Sequence, residues 1–152
     1  MPIITEYLNT RKVADMNEIL IQKEIDVVID VRWSDWQPEY FRSAQLAHLC
    51  KINATEYWQY QTLGNPPTNR PSRANPQFDW KIAKPTYLTR LKTDCAVNRA
   101  FNDLLTRIAQ KPTQDYCLIC YCKTQDPNLC HRFWLQEYLE TCLSEFLGEE
   151  EF

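Results

Sequence analysis

The spacing of apolar positions changes several times along the chain, and each change marks an element. Asp26-Val27-Val28-Ile29-Asp30-Val31 is a compact β-branched run without alternation, the pattern of a central parallel strand buried on both faces. Tyr116–Tyr121 is a second apolar run of buried-strand type. Ile3–Tyr7 reads as a first strand and Glu56–Tyr60 as a weaker one. Elsewhere apolar residues recur at three- and four-residue steps, the helical period. Thr10–Glu24 places Val13, Met16, Ile19 and Leu20 on one face, and Asp15 with Glu18 can form a capping box in a shorter version of that helix. Arg42–Lys51 turns Leu46, Leu49 and Cys50 inward. A helix with Pro85 in its first turn runs to about Lys92. Val97, Phe101, Leu104, Leu105 and Ile108 mark an amphipathic helix stopped by Pro112. The last helix follows the turn Asp126-Pro127-Asn128, with Phe133, Tyr138, Leu139, Cys142, Leu143 and Phe146 in period.

Helices alternating with short apolar strands predict an α/β fold, a single domain with a mainly parallel central sheet flanked by helices. The domain is expected over residues 1–147, with an acidic tail over 148–152. Leu63–Phe78 holds four prolines and is expected to be irregular, since proline lacks a donor and fixes its own φ. So long a loop in a compact domain suggests function. In open α/β sheets, ligands sit where strand C-terminal ends meet helix N-termini. Cys120, Cys122, Cys130, His131 and Arg132 all fall at such a junction, and Asp30 and Arg32 fall at another strand end.

Composition narrows the picture. With 44% apolar and 24% charged residues over 152 positions, one domain can bury a real core. No run of eighteen apolar residues occurs, so no membrane span is expected. Met1–Glu6 lacks the basic and apolar regions of a secretory signal, and a cytoplasmic location is the expectation. Seven cysteines, an odd number, then point to reduced thiols, metal ligands or catalytic groups rather than a disulfide framework. Only Gly64 and Gly148 are glycines, which excludes a Walker loop or a dinucleotide fingerprint. An anion site must use arginines and helix termini instead.

Four chemistries compete for the junction. Cys130 precedes His131 and Arg132, where the helix dipole and the guanidinium favour a reactive thiolate. Cys130, His131 and Cys122, which could face Cys130 from the strand end, are the candidate catalytic residues. Zinc on Cys120, Cys122, Cys130 and His131 is disfavoured, because adjacent residues on a helix diverge by about 100°, and no metal or other cofactor is assigned. Anion recognition leads: Arg32 and Arg132 can converge from two parallel strand ends on a phosphate or carboxylate. A nucleic-acid surface is the rival class. Arg70, Arg73, Lys81, Lys84, Arg90, Lys92 and Arg99 interleave with Phe78, Trp80 and Tyr87, the footprint of single-strand binding. A third class is a structural interaction protein using the aromatic stretch from Trp33 to Tyr40. A thiol-phosphatase or rhodanese-like loop is disfavoured, because it wants Arg six residues after Cys. Those positions here are Asp126 and Asn128.

Three segments together resemble the family known as domain of unknown function 488. They are Asp30-Val31-Arg32; Tyr60 through Leu63-Gly64-Asn65-Pro66; and Cys120, Asp126-Pro127 and Cys130-His131-Arg132. Order and approximate spacing agree over about Ile3 to Leu143. Members of that family usually carry a glutamate two residues after the first cysteine. Cys122 stands there in this chain and the loop is two residues longer, a version similar to a second family found among phage proteins. The resemblance implies an α/β fold and a site at these motifs, and supplies no reaction. It adds Gly64 and Asn65 to the expected ligand-binding set of Asp30, Arg32 and Arg132. The expected partner is a small anionic ligand, a nucleotide or a modified base.

Overall fold

A computed structural model describes residues 3–34, 39–122 and 124–148. Four strands form one sheet: β1 (Ile3–Tyr7), β2 (Val27–Asp30), β3 (Glu56–Gln59) and β4 (Tyr116–Cys120). Their order is β1-β4-β2-β3 and every pairing is parallel. The expected α/β fold is therefore present, with the two most apolar runs, β4 and β2, in the centre. Alternate side chains of each central strand enter opposite layers. Val27, Ile29, Tyr116 and Leu118 join one core, while Val28, Cys117 and Ile119 join the other. Helices α1 (Val13–Gln22) and α2 (Ser43–Ile52) cover the second face. Helices α3 (Trp80–Thr93), α4 (Cys95–Gln110) and α5 (His131–Leu147) cover the first.

Local signals moved several boundaries. Thr10 adopts φ 67°, so α1 cannot start there and begins at Val13. Asp15 accepts the Lys12 backbone N–H at 2.7 Å, serving the helix from its third position instead of as its cap. Helix α3 begins at Trp80, where Asp79 accepts the Lys81 N–H. Pro85 thus lies inside the helix and not in its first turn. The bond it removes would end on the carbonyl of Lys81, an exposed residue where water can replace the donor. Helix α5 starts two residues later than an Asn128 cap would place it, because the Asp126 side chain takes the Asn128 N–H at 2.9 Å and closes the turn there. Its buried stripe is Trp134, Leu135, Leu139 and Leu143, whereas Phe146 is 64% exposed.

Asparagines hold the proline-rich loop. Asn65 and Asn69 exchange bonds at 2.9 Å, and Asn69 also donates to the Ala83 carbonyl of α3. Asn75 donates to the Thr68 and Arg70 carbonyls. Gly64 presses this loop onto the exit of β2: a Cβ there would lie 2.4 Å from Trp33 Cα, so only glycine fits. Part of the aromatic stretch, residues 35–38, and the acidic residues of the tail, 149–151, lie outside the described residues. Among the described residues no helix is long and apolar enough to cross a membrane.

Candidate functional site

Parallel pairing brings the ends of β2 and β4 to one edge of the sheet. Val31 donates to the Ile119 carbonyl and Leu8 to the Cys120 carbonyl, so three strand exits leave the sheet side by side. The Pro66–Ser72 loop closes over them. Between these parts lies a cleft of about 660 Å³ lined by residues that include Arg32, Asn65, Arg70, Cys120, Cys130 and His131. The cleft lies at the strand ends, and its volume is in the range of small-ligand pockets.

At its floor the Cys120 and Cys130 sulfurs are 3.1 Å apart, closer than two sulfurs in ordinary contact and longer than a disulfide of about 2.05 Å. Cys120 ends β4, and Cys130 is the extended N-cap residue of α5, with φ −125° and ψ 133°. One Arg132 nitrogen, Nη1, donates to Cys130 Sγ at 3.2 Å, to Cys120 Sγ at 3.5 Å and to the Cys122 carbonyl at 2.8 Å. Nη2 donates to the Thr124 carbonyl. Arg132 is fully buried, and among the described residues no carboxylate pairs with it. A buried guanidinium without a counter-ion is costly. The thiol pair can supply that ion by sharing one proton between two sulfurs. The hydrogen bond from Cys130, followed by the charge of Arg132, holds the Cys120 thiol below its ordinary value against burial. Cys130, as the donor, is pushed up to about 12. The half-buried Cys122 thiol is raised by its interaction with Cys130 and by burial.

The first arginine is held differently. Arg32 grips Asp30 with Nε and Nη2 at 2.9 and 2.7 Å, and Tyr57 donates to the same carboxylate at 2.5 Å. Arg32 lines the cleft, is 3% exposed, and its Nη1 has no hydrogen-bond partner among the described residues. Arg70 reaches the cleft wall from the proline-rich loop. His131 Nε2 lies 2.8 Å from the Val31 carbonyl. A carbonyl only accepts, so Nε2 carries the proton and the remaining lone pair is on Nδ1. Burial, with Arg70 and Arg132 nearby, lowers His131 to about 4, and it stays neutral.

Of the eight expected site residues, Arg32, Asn65, Cys122, Cys130 and His131 line the cleft. Asp30 lies beneath Arg32, and Gly64 beneath the loop against Trp33. Arg132 faces the sulfurs from below instead of the open cleft, so the two arginines do not form one clamp. Cys120, Arg70 and Tyr57 were missing from the expected set. Cys120 carried a signal, its place at the end of an apolar strand, and Arg70 carried one in its place in the proline-rich loop; Tyr57 carried none short of the folded structure. Three residues of the rival surface are engaged within the fold. Tyr87 is buried, Lys84 pairs with Glu137, and Arg90 donates to the Gly64 carbonyl.

A soft metal ion would find Cys120, Cys130 and a ring nitrogen of His131 within 4.8 Å of one another. The objection that adjacent residues diverge does not hold here, because Cys130 is extended and only His131 is helical. Charge weighs the other way: two thiolates on a divalent cation would be neutral and leave Arg132 without its anion.

No curated protein matches this chain, and neither does a solved structure. The family model described as domain of unknown function DUF488 matches residues 12–139, a span that holds the Asp30–Arg32 strand end, the Gly64 loop and both site cysteines. The chain belongs to that family, DUF488.

Proposed function

We propose that the cleft binds a small anionic ligand and presents Cys120 to it as a thiolate nucleophile. The observation that carries this reading is Arg132, a buried cation with no carboxylate partner among the described residues, whose Nη1 instead donates to the sulfurs of Cys120 and Cys130. Thiolate, not thiol, is the reactive form, and a guanidinium held by two backbone carbonyls keeps that form in place before any ligand arrives. The cationic wall supports the anionic ligand class. Arg32 lines the cleft with Nη1 unpartnered among the described residues, its charge balanced by Asp30, and Arg70 adds a positive charge to the wall. His131 acts as a neutral wall, and Asn65 and Gly64 set the loop that carries Arg70. A nucleotide or a modified base fits this description, as does any small carboxylate or phosphate. A reducing compartment such as the cytoplasm would keep the thiols free.

Alkylation tests the reading, with exposed Cys95 as an internal reference. Iodoacetate should modify Cys120 at least ~10-fold faster than Cys95 at pH 7, as read by peptide mass mapping. Iodoacetate should also be favoured over neutral iodoacetamide at Cys120, and Arg70→Ala should remove that preference. Equal rates at Cys120 and Cys95 would remove the thiolate. An unchanged reagent preference in Arg70→Ala would remove the anionic ligand.

A further inference from the structure

Two sulfurs share one cation, and that arrangement provides for a second chemical step. We propose that Cys120 and Cys130 form a dithiol–disulfide couple that reduces small anionic disulfides, with Cys120 as the attacking and Cys130 as the resolving sulfur. The inference rests on the thiolate reading above and adds a substrate class and a second reacting residue.

Two exchanges complete the reaction. Cys120 Sγ⁻ attacks one sulfur of R–S–S–R′. A Cys120–S–S–R bond forms, the R–S–S–R′ bond breaks, and R′–S⁻ leaves with the electron pair. The departing thiolate takes the proton that Cys130 held. Arg132 has now lost its anion at Cys120, and its Nη1 already lies 3.2 Å from Cys130 Sγ. The guanidinium therefore holds Cys130 as the new thiolate without moving. Cys130 Sγ⁻ attacks Cys120 Sγ from 3.1 Å, a near-attack distance. The Cys120–Cys130 bond forms, and R–S⁻ leaves to be protonated by water. The disulfide substrate gains two electrons, the protein dithiol loses two, and excess small thiol drives the reverse sequence.

Geometry favours these two of the seven cysteines. Cys120 and Cys130 are on different elements, at a strand end and at an extended N-cap. A small approach of the two side chains can close the bond. Cys50 and Cys117 are buried in the opposite layer and have no route to the cleft. The substrate class follows from the walls. A cleft of about 660 Å³ admits a molecule far larger than a peroxide. Arg32 and Arg70 favour carboxylates on it.

The test uses the full chain with two disulfides of opposite charge, oxidised glutathione and cystamine. Oxidised glutathione should convert wild-type protein to a form lacking two alkylatable thiols, mapped to Cys120–Cys130, about 10-fold faster than cystamine does. Cys130→Ser should stop at a Cys120–glutathione mixed disulfide, and Cys120→Ser should form neither product; circular dichroism checks that both variants fold. A mixed disulfide accumulating in wild type would overturn the resolving role. A bond to Cys122, or a stoichiometric zinc ion retained in native mass spectra, would overturn the couple. If Cys120 is rapidly alkylated yet no internal disulfide forms, this inference fails and the thiolate reading stands. If Cys120 is inert to both reagents, both fail.

Discussion

At the scale of single residues, the proposed chemistry turns on Arg132. Its sequence neighbourhood suggested a ligand-binding fork, but its two terminal nitrogens donate to Cys122, Thr124 and two sulfurs, and its Nε has no partner among the described residues. On the proposed reading its role is to stabilise a thiolate. Arg132→Lys keeps the charge but loses the planar fork that reaches two sulfurs and two carbonyls together. Cys120 alkylation in Arg132→Lys should therefore titrate at higher pH than in wild type. At pH values well below the wild-type midpoint it should also be slower, by about 10-fold if the midpoint moves up by roughly one pH. A pH–rate profile against iodoacetamide, which carries no charge of its own, measures this directly. An unchanged profile would mean that the hydrogen bond from Cys130 suffices alone. Arg32 is held by a carboxylate instead. Two of its nitrogens satisfy Asp30, which Tyr57 steadies, and the third has no partner among the described residues.

Elements position these residues through their termini. Strands β2 and β4 are apolar along their lengths and polar or reactive only where they leave the sheet. The sheet edge is therefore where chemistry can accumulate without exposing the core. Helix α4 lines none of the cleft and anchors the layer on which α3 and α5 pack. Its Val97, Phe101, Leu104 and Ile108 are all buried, as their spacing predicted. Leu104 is fully buried. Leu104→Ala should lower unfolding free energy by roughly 2–5 kcal/mol through lost burial and a residual cavity, read by denaturant titration. A loss under about 0.5 kcal/mol would place that side chain outside the core. Helix α5 shows why a stripe read from sequence can be off by one residue. Trp134 is turned inward by its indole bond to the Pro127 carbonyl at 3.0 Å, and Phe133 instead sits beside the Arg132 guanidinium, 4.4 Å from its ring centre.

For the molecule as a whole, titration should confine stability to a plateau. His131 has a folded value of about 4 against an ordinary 6.5. A base depressed by folding contributes stability above its unfolded value, lost as pH falls from 6.5 through 4. At Glu6 burial is outweighed by Lys23 and Arg11, so this acid too is depressed by folding. It acts in the same direction, its contribution being lost as pH falls below the ordinary 4.5. On the alkaline side Cys50 is raised by burial from 9.0 to about 12, and Tyr60 and Tyr116 are raised by burial from 10.0 to about 12. Acids raised by folding contribute stability below their unfolded values, lost as pH climbs through the folded ones. Unfolding free energy should therefore be highest between about pH 6.5 and 9 and fall on both sides. The His131 share of the acid limb is at most roughly 3 kcal/mol. Denaturant titrations at about pH 5, 7.5 and 10.5 test this, and His131→Asn should flatten the limb between about pH 6.5 and 4. A curve still rising below about pH 6 would contradict the neutral, buried state of that ring.

Much of the fold was legible from the chain alone. The β-branched run at Val27–Asp30 and the apolar run at Tyr116–Cys120 could be satisfied only in the middle of a sheet, because both of their faces need covering. Helical period marked α2 and α4 to within a residue or two for a similar reason: burial on one side and water on the other leave a repeating record. The place of the cleft was legible too, since reactive residues followed apolar strands and preceded a helix. Its assembly was not. That Cys120 meets Cys130 depends on a cap two residues later than the turn signal suggested, set by a side-chain bond from Asp126. That Arg132 points to sulfur while Arg32 keeps a free nitrogen depends on which partners lie within about 3 Å, and hydrogen bonds weaken steeply with distance and angle. Arg70 joins the cleft only through a loop held by three asparagines and pressed onto Trp33 at Gly64. Periodic burial is a property of neighbours in sequence, whereas a site is a set of contacts between residues far apart, which only the packed chain specifies.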